Sequence, residues 1–285
     1  MPVNEDKTPV MIRRIVVAVD ASPHSRAAME AAVRLAARFD AVLLGLFVED
    51  INVLRIAGLP YAQEFGDYSA QRRQINTVDV ERQLRVRGRQ VQDSFRLLSE
   101  RASIQGTFRV TRGSVGTEIQ SAAADADLLI LGRAGWSQLR ERQVGSTTRA
   151  VCSAEAPGIT AVLQSGAQLA PPILVVYDAS EAAERALVFA EGLVDEMRGP
   201  LVVLLVADTE PLLQARRNLL ERALTELKVM NDQHSLIASA LQNLIQAIHV
   251  LHAQTVVLPA SLSLLQGGRV VSLLEQVDIP VLLVR

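Results

Sequence analysis

A single cysteine, Cys152, stands in 285 residues. A lone thiol excludes an internal disulfide and a multi-cysteine zinc site, and it fits a reducing compartment. Aromatic residues make up only 4% of the chain, with one tryptophan, Trp136, so the core must be aliphatic. No charge of one sign dominates: 29 basic and 31 acidic side chains leave a formal net charge of -2. That balance gives no overall field to draw in nucleic acid or an anionic membrane. No apolar run reaches the roughly 18 residues that span a bilayer, and the opening MPVNEDKTPVMIRR lacks the apolar stretch of a signal peptide. A cytoplasmic protein with no nucleic-acid and no membrane partner is expected. Two nucleotide fingerprints are missing as well. No segment reads G-x-x-x-x-G-K-[ST], and the first strand-to-helix turn reads DASPHS instead of G-x-G-x-x-G. A P-loop lysine and a dinucleotide oxidoreductase are thereby set aside.

What is present is a repeat. With 49% hydrophobic and 21% charged residues the chain reads as globular. Residues 15–50 can be laid without a gap on residues 173–208. In each copy a run of Ile and Val ends in Asp-Ala-Ser, Asp20-Ala21-Ser22 and Asp178-Ala179-Ser180. The pattern predicts a buried strand and then a helix, with Ser22 as N-cap and Pro23 at the first helical position. Helical spacing of Met29, Val33, Ala36 and Ala37 leads to a second aliphatic run. Continuous aliphatic strands alternating with helices imply a parallel sheet covered on both faces.

The first copy goes on with a loop, a helix from about 69 to 102, a strand near GTFRVTR, a helix from about Thr117, a strand over 127–131, a helix from Gly145 and a strand near GITAVLQ. The second has strands near LKVMN, TVVLP and IPVLLVR. Two α/β domains are therefore expected, 1–165 and 171–285, joined by a linker over 164–172. Each would be a doubly wound, five-stranded parallel sheet of order 3-2-1-4-5, the pair forming a pseudo-two-fold tandem repeat.

In such a sheet ligands bind beyond the carboxyl ends of the strands, where the strand order reverses. Here that brings the end of strand 1, Asp20, beside the end of strand 4, Gly132. The loop GRAGWSQLRERQVGST over 132–147 starts with Gly132 and Gly135 and runs into Gly145, Ser146 and Thr147. Glycines let backbone approach a ligand closely. A helix starting at Gly145 offers free amides and its dipole to an anion, and the hydroxyls of Ser146 and Thr147 add donors. Arg133, Arg140 and Arg142 could supply positive charge. Phosphate can thus be cradled without a lysine.

Strand-Asp-x-Ser, followed after strand 4 by G-x2-G-x9-G-[ST], resembles the universal stress protein family in its tandem two-domain form. The resemblance implies an adenine nucleotide, ATP or a relative, commonly with Mg2+. Asp20, in the Asp20-Ala21-Ser22 turn, would bind ribose or adenine, and Val48 would line the adenine pocket. Gly132 and Gly135, with Arg133 between them, would pass the ribose and phosphates, and Gly145, Ser146 and Thr147 would hold the phosphates. The second copy departs from the motif, with Pro259 at the place of Gly132, Leu262 at that of Gly135 and Arg269 at that of Ser146. It is expected to have lost the site and to pack on the first copy as an intramolecular dimer partner. A further homodimer and an unknown protein partner stay open.

The function expected is an ATP-binding stress-response or regulatory protein with one nucleotide in the first domain. The alternative is a nucleotide-free dimerisation module of the same fold. No catalytic residue is assigned: His24 lies near the strand 1 turn, but nothing in the sequence sets its reach. Asp20 could also serve only the turn, since Asp178 repeats it in a copy without the glycines. His249 and His252 have a spacing metals can use but no third ligand, and no metal site is expected. The arginine-rich stretch 69–101 reads as a solvated helix face. The insertion over 51–68 has no assigned role.

Overall fold

A computed structural model describes residues 12–59, 63–65, 72–74, 76–135, 143–153, 158–197, 199–227, 231–237 and 240–285. Trp136, Arg140 and Arg142 lie outside these residues. The first half runs β1 (Arg14–Ala18), α1 (Pro23–Phe39), β2 (Val42–Asp50), α2 (Ile51–Ala57), β3 (Gln63–Phe65), β4 (Arg72–Gln74) and α3 (Thr77–Arg101). It continues with β5 (Gly106–Gly113), α4 (Val115–Ala123), β6 (Leu128–Gly132), α5 (Ser146–Ser153) and β7 (Ile159–Leu163). The second half runs β8 (Ile173–Tyr177), α6 (Glu181–Met197), β9 (Leu201–Ala207), α7 (Glu210–Leu227) and β10 (Asn231–Ile237). Then come α8 (Leu241–Val250), β11 (Thr255–Pro259), a 3-10 turn (Ser263–Leu265), α9 (Arg269–Gln276) and β12 (Val281–Val284).

The sheet order is β10-β9-β8-β11-β12-β7-β6-β1-β2-β5. Each half has the predicted order 3-2-1-4-5, all parallel. The repeat did not reveal that the two sheets are one. β7 and β12 pair antiparallel, from Val281 opposite Val162 to Val284 opposite Ile159. Both strands are buried along their whole length. At roughly 1.5–3 kcal/mol for each fully buried aliphatic side chain, the seam is a core in its own right.

One buried cluster follows one face of the sheet through both halves, from Ile15 and Leu35 to Leu193 and Leu205. Phe39 of α1 stacks on Phe189 of α6 with ring centroids 6.3 Å apart, and Arg38 donates to the Gly192 carbonyl. On the opposite face Val16, Leu46, Ile119 and Val151 form a separate cluster under α4 and α5.

Three expected boundaries move, each for a local reason. The long helix starts at Thr77, because Asn76 caps it by accepting the Val78 N–H at 2.9 Å, while 72–74 pair with 63–65. α4 starts at Val115, so Thr117 lies inside the helix and Ser114 occupies the N-cap position. The strand expected near LKVMN begins only at Asn231. β10 is a sheet edge paired with β9 alone. An edge strand can be as polar as NDQHSLI, and the aliphatic pattern places it too early in the chain.

The stretch between β7 and β8 is tied back to the first half by Ser165, whose N–H donates to His24 Nδ1 at 2.8 Å. Burial, helped by the nearby Arg133 guanidinium and opposed by Asp20, holds the imidazole below its ordinary 6.5. The folded protein therefore favours neutral His24, which the Ser165 bond needs. Its stabilising effect is complete above the unfolded-state value of 6.5 and is lost as pH falls from there toward the lower folded value. Denaturant midpoints should drop between pH 7 and pH 5, and the drop should be smaller in His24→Asn. Burial also pushes the Cys152 thiol up to about 12, against a smaller opposing effect of Arg285. A thiol reagent at pH 8 should leave native Cys152 unmodified and label it fully in denaturant.

Candidate functional site

β1 and β6 lie side by side, with Ala18 opposite Leu131, and the chain leaves them toward opposite faces of the sheet. From β1 it enters α1, which packs into the cluster shared by both halves; from β6 it reaches α5, whose Val151 packs on the other face. The carboxyl ends of the two strands stay uncovered between the departing connections. A cavity of about 280 Å³ opens there.

One rim is the Asp20-Ala21-Ser22 turn. Asp20 Oδ1 accepts the Ser22 N–H at 2.9 Å, and the Asp20 N–H donates to Ser25 Oγ at 2.8 Å. Ser22 Oγ accepts the Ser25 N–H at 3.1 Å, which makes it the N-cap of α1, and donates to the Ala134 carbonyl at 3.3 Å. Asp20 and Ala21 line the cavity. Ser22 does not; its hydroxyl is used in capping and the residue is buried.

The opposite rim is the loop after β6. A Cβ on Gly132 would lie 2.9 Å from the His24 carbonyl carbon and 3.0 Å from the Ser25 nitrogen, so only glycine lets β6 pass the first turn of α1. The Arg133 N–H donates to the Leu163 carbonyl at 2.7 Å, and the Arg133 carbonyl accepts the Gly145 N–H at 2.9 Å. The two ends of the loop are thereby held together. A Cβ on Gly145 would meet the Gly135 nitrogen at 3.3 Å, and one on Gly135 would meet Asp20 Oδ2 at 3.0 Å. Gly132, Gly135, Gly145, Ser146 and Thr147 all line the cavity. Because the Gly145 amide is engaged, the amides turned toward an anion are those of the first turn of α5, Ser146 to Thr148, which have no intrahelical acceptor. Thr148 Oγ1 fixes that turn by donating to the Gly132 carbonyl at 2.7 Å.

Val48 lines the cavity together with Leu46 of β2 and with Val115 and Ile119 of α4. The site thus has an apolar wall at one end and backbone donors at the other. Arg133, expected among the ligand contacts, is a correction: its side chain turns away from the cavity and lies buried against α9 in the second half. His24 is absent from the lining, and its Nδ1 holds Ser165.

Sequence reasoning missed the wall built by Asp50, Val53, Leu84 and Arg87. A signal for Arg87 was present. Gly88 interrupts a good helix sequence, and a Cβ there would lie 3.3 Å from the Phe47 ring. That glycine lets α3 approach β2 and brings Arg87 to the cavity. His249 and His252 are exposed, and among the described residues no group of three or more metal-type side chains exists.

The second half keeps the framework and fills the site. The Ala260 N–H donates to the Val284 carbonyl at 2.7 Å, the bond Arg133 makes in the first half. Leu262 stands in place of Gly135 with 1% exposure, and Leu264 and Leu265 are buried beside it. Arg269 at the start of α9 donates to the carbonyls of Gln266 and Ser263. Asp178 Oδ1 accepts both the N–H and the hydroxyl of Ser180.

Known proteins share this architecture. A universal stress protein from Archaeoglobus fulgidus superposes with a TM-score of 0.71 over 95% of this chain and 98% of its own, at 16% identity. A Pseudomonas aeruginosa protein described as a universal stress protein gives 0.63 over 98% and 95%, at 15% identity. These likenesses establish the shared fold. A universal stress protein in complex with cAMP matches 55% of the chain at 18% identity with a TM-score of 0.33, covering 99% of its own length. That complex speaks for that protein alone. No curated protein matches the sequence. Among the described residues no helix is long and apolar enough to cross a membrane. The family model of the universal stress protein family matches residues 11–154, half of the chain, and the chain belongs to that family.

Proposed function

We propose that the first half binds an adenine nucleotide, ATP in the first instance, in the crevice between β1 and β6, and that the chain works as a nucleotide-responsive regulatory protein. One observation carries the reading: a single cavity has an apolar wall at Val48, Leu46 and Ile119 and ends in the Gly132–Gly135 turn and the open first turn of α5. An apolar planar base with a polyanionic tail fits that division, since a helix N-terminus favours phosphate and close backbone approach needs glycine.

In this reading the base lies against Val48, and Asp20 accepts from a ribose hydroxyl through the oxygen facing Gly135. The phosphates take the amides and hydroxyls of Ser146 and Thr147. Magnesium would be held chiefly by the phosphates, as is usual for Mg2+ in nucleotide sites; Asp20 and Asp50 each have one carboxylate oxygen bonded to a backbone N–H. The unit over 1–165 would hold the ligand, and the unit over 171–285 would serve as its built-in partner.

Mass spectrometry of nucleotide released from the purified protein, followed by titration calorimetry of the emptied protein with ATP and Mg2+, tests this directly. One site per chain is expected. Gly135 has no positive φ, so Gly135→Leu can fold while its side chain enters the cavity and crowds Asp20. It should abolish binding and remove the stabilisation that ATP gives the parent, about 2.7 kcal/mol at a hundredfold excess over Kd. A folded parent that releases no nucleotide and gives no heat would return the chain to the alternative, a nucleotide-free interaction module. Gly132→Ala is the wrong variant for this purpose: its Cβ meets α1 backbone, and overpacking of this kind should lower stability by roughly 1–3 kcal/mol without any ligand.

A further inference from the structure

Arg133 stands between two residues that line the cavity, Gly132 and Ala134, yet its own side chain leaves it. Its backbone helps close the cradle, through the bonds to Leu163 and Gly145. Its side chain, 6% exposed, crosses into the second half. There Nη1 donates to the carbonyls of Leu274 at 3.4 Å and Val277 at 3.2 Å and to Asp278 Oδ1 at 3.0 Å. These acceptors crown the C-terminus of α9, where free carbonyls and the helix dipole attract a cation. A buried guanidinium is held only where such acceptors surround it. The backbone at 133 therefore cannot shift without disturbing its seat on α9.

A second tie runs to the same helix. Arg149, which follows the open amides of α5, places Nη2 3.4 Å from Glu275 Oε1 of α9. Both sides of the cradle, the glycine turn and the phosphate-facing helix, are thus attached to α9. The position in the second half that corresponds to Arg133 makes no such reach. Ala260 makes the same backbone bond as Arg133 but has no side chain to send across, and a cavity of about 700 Å³ lies between it, Cys152 and Ser153. The end of α5 takes its cation from Arg285, outside the equivalent loop, with Nη2 3.5 Å from the Cys152 carbonyl.

The geometry points to a coupling in which occupation of the first-half cavity by a phosphate-bearing ligand is transmitted through Arg133 to the C-terminal turn of α9, so that the second half reads the state of the first. The inference rests on the nucleotide reading of the cavity. Arg133 is then a positioning residue. Linkage makes the effect reciprocal, so a change at the end of α9 alters affinity at the cavity.

Calorimetry and hydrogen exchange on the full chain with ATP and Mg2+ test it, using the parent, Arg133→Met and Asp278→Asn. In the parent, ATP should slow exchange at the amides of Leu273 to Asp278 as well as at the first turn of α5. Arg133→Met should bind about 5- to 150-fold more weakly, the usual range of coupling between sites, and should keep the response at α5 while losing it at α9. Asp278→Asn changes an exposed carboxylate in the other half and should weaken binding by a smaller factor. If Arg133→Met does not fold, Asp278→Asn and Glu275→Gln carry the same test. ATP binding to the parent with unchanged exchange at α9, or variants that bind like the parent, overturns the coupling and leaves the nucleotide reading standing. A folded parent that binds no ATP overturns that reading and the coupling with it.

Discussion

The molecule is organised by a change of direction between two neighbouring strands. β1 and β6 are hydrogen-bonded partners, but the helices that follow them must cover opposite faces of a sheet that is apolar on both. No helix can then close over the point where the connections part. The cavity follows from that constraint, and so does the identity of the residues at its rim, because whatever ends β1 and β6 must border it. Asp20 and Gly132 are those residues. The repeat obeys the same constraint, and there Tyr177-Asp178 and Pro259 stand at the parting point. Leucines from the following loop close it, with Leu262 at 1% exposure. A doubly wound sheet creates the opening, and small residues keep it open.

Glycine acts in three separate ways around that opening. At 132 it allows a strand to pass the first turn of α1. At 145 it allows the end of the loop to lie against its beginning, where its amide is fastened to the Arg133 carbonyl. At 135 it leaves room beside a carboxylate. Only the last is free of a packing duty, which separates a residue that shapes the ligand space from residues that shape the protein.

The strand-helix alternation, the duplicated Asp-Ala-Ser and the glycine spacing were legible because each is a local pattern with a local cause. They gave the strand order of both halves and most of the cavity rim. What escaped was set by contacts distant in sequence. Both β7 and β12 read as buried aliphatic runs, and such a run does not say which strand will lie beside it. Arg133 reads as a mobile cation in a glycine loop until α9 supplies its acceptors. Arg87 reads as one of many arginines on a long helix until Gly88 brings that helix onto Phe47. β10 was expected near LKVMN but runs Asn231–Ile237, because an edge strand need not be aliphatic.

The antiparallel seam between β7 and β12 has a consequence for life among relatives. Two halves on one chain meet at an effective concentration that a short linker sets in the millimolar range. A separate protein offering a matching strand would have to displace a tethered competitor and expose a buried aliphatic edge to do so. Holding both halves on one chain therefore insulates this sheet from exchange with other copies of the fold. It also fixes which partner each half meets at the seam.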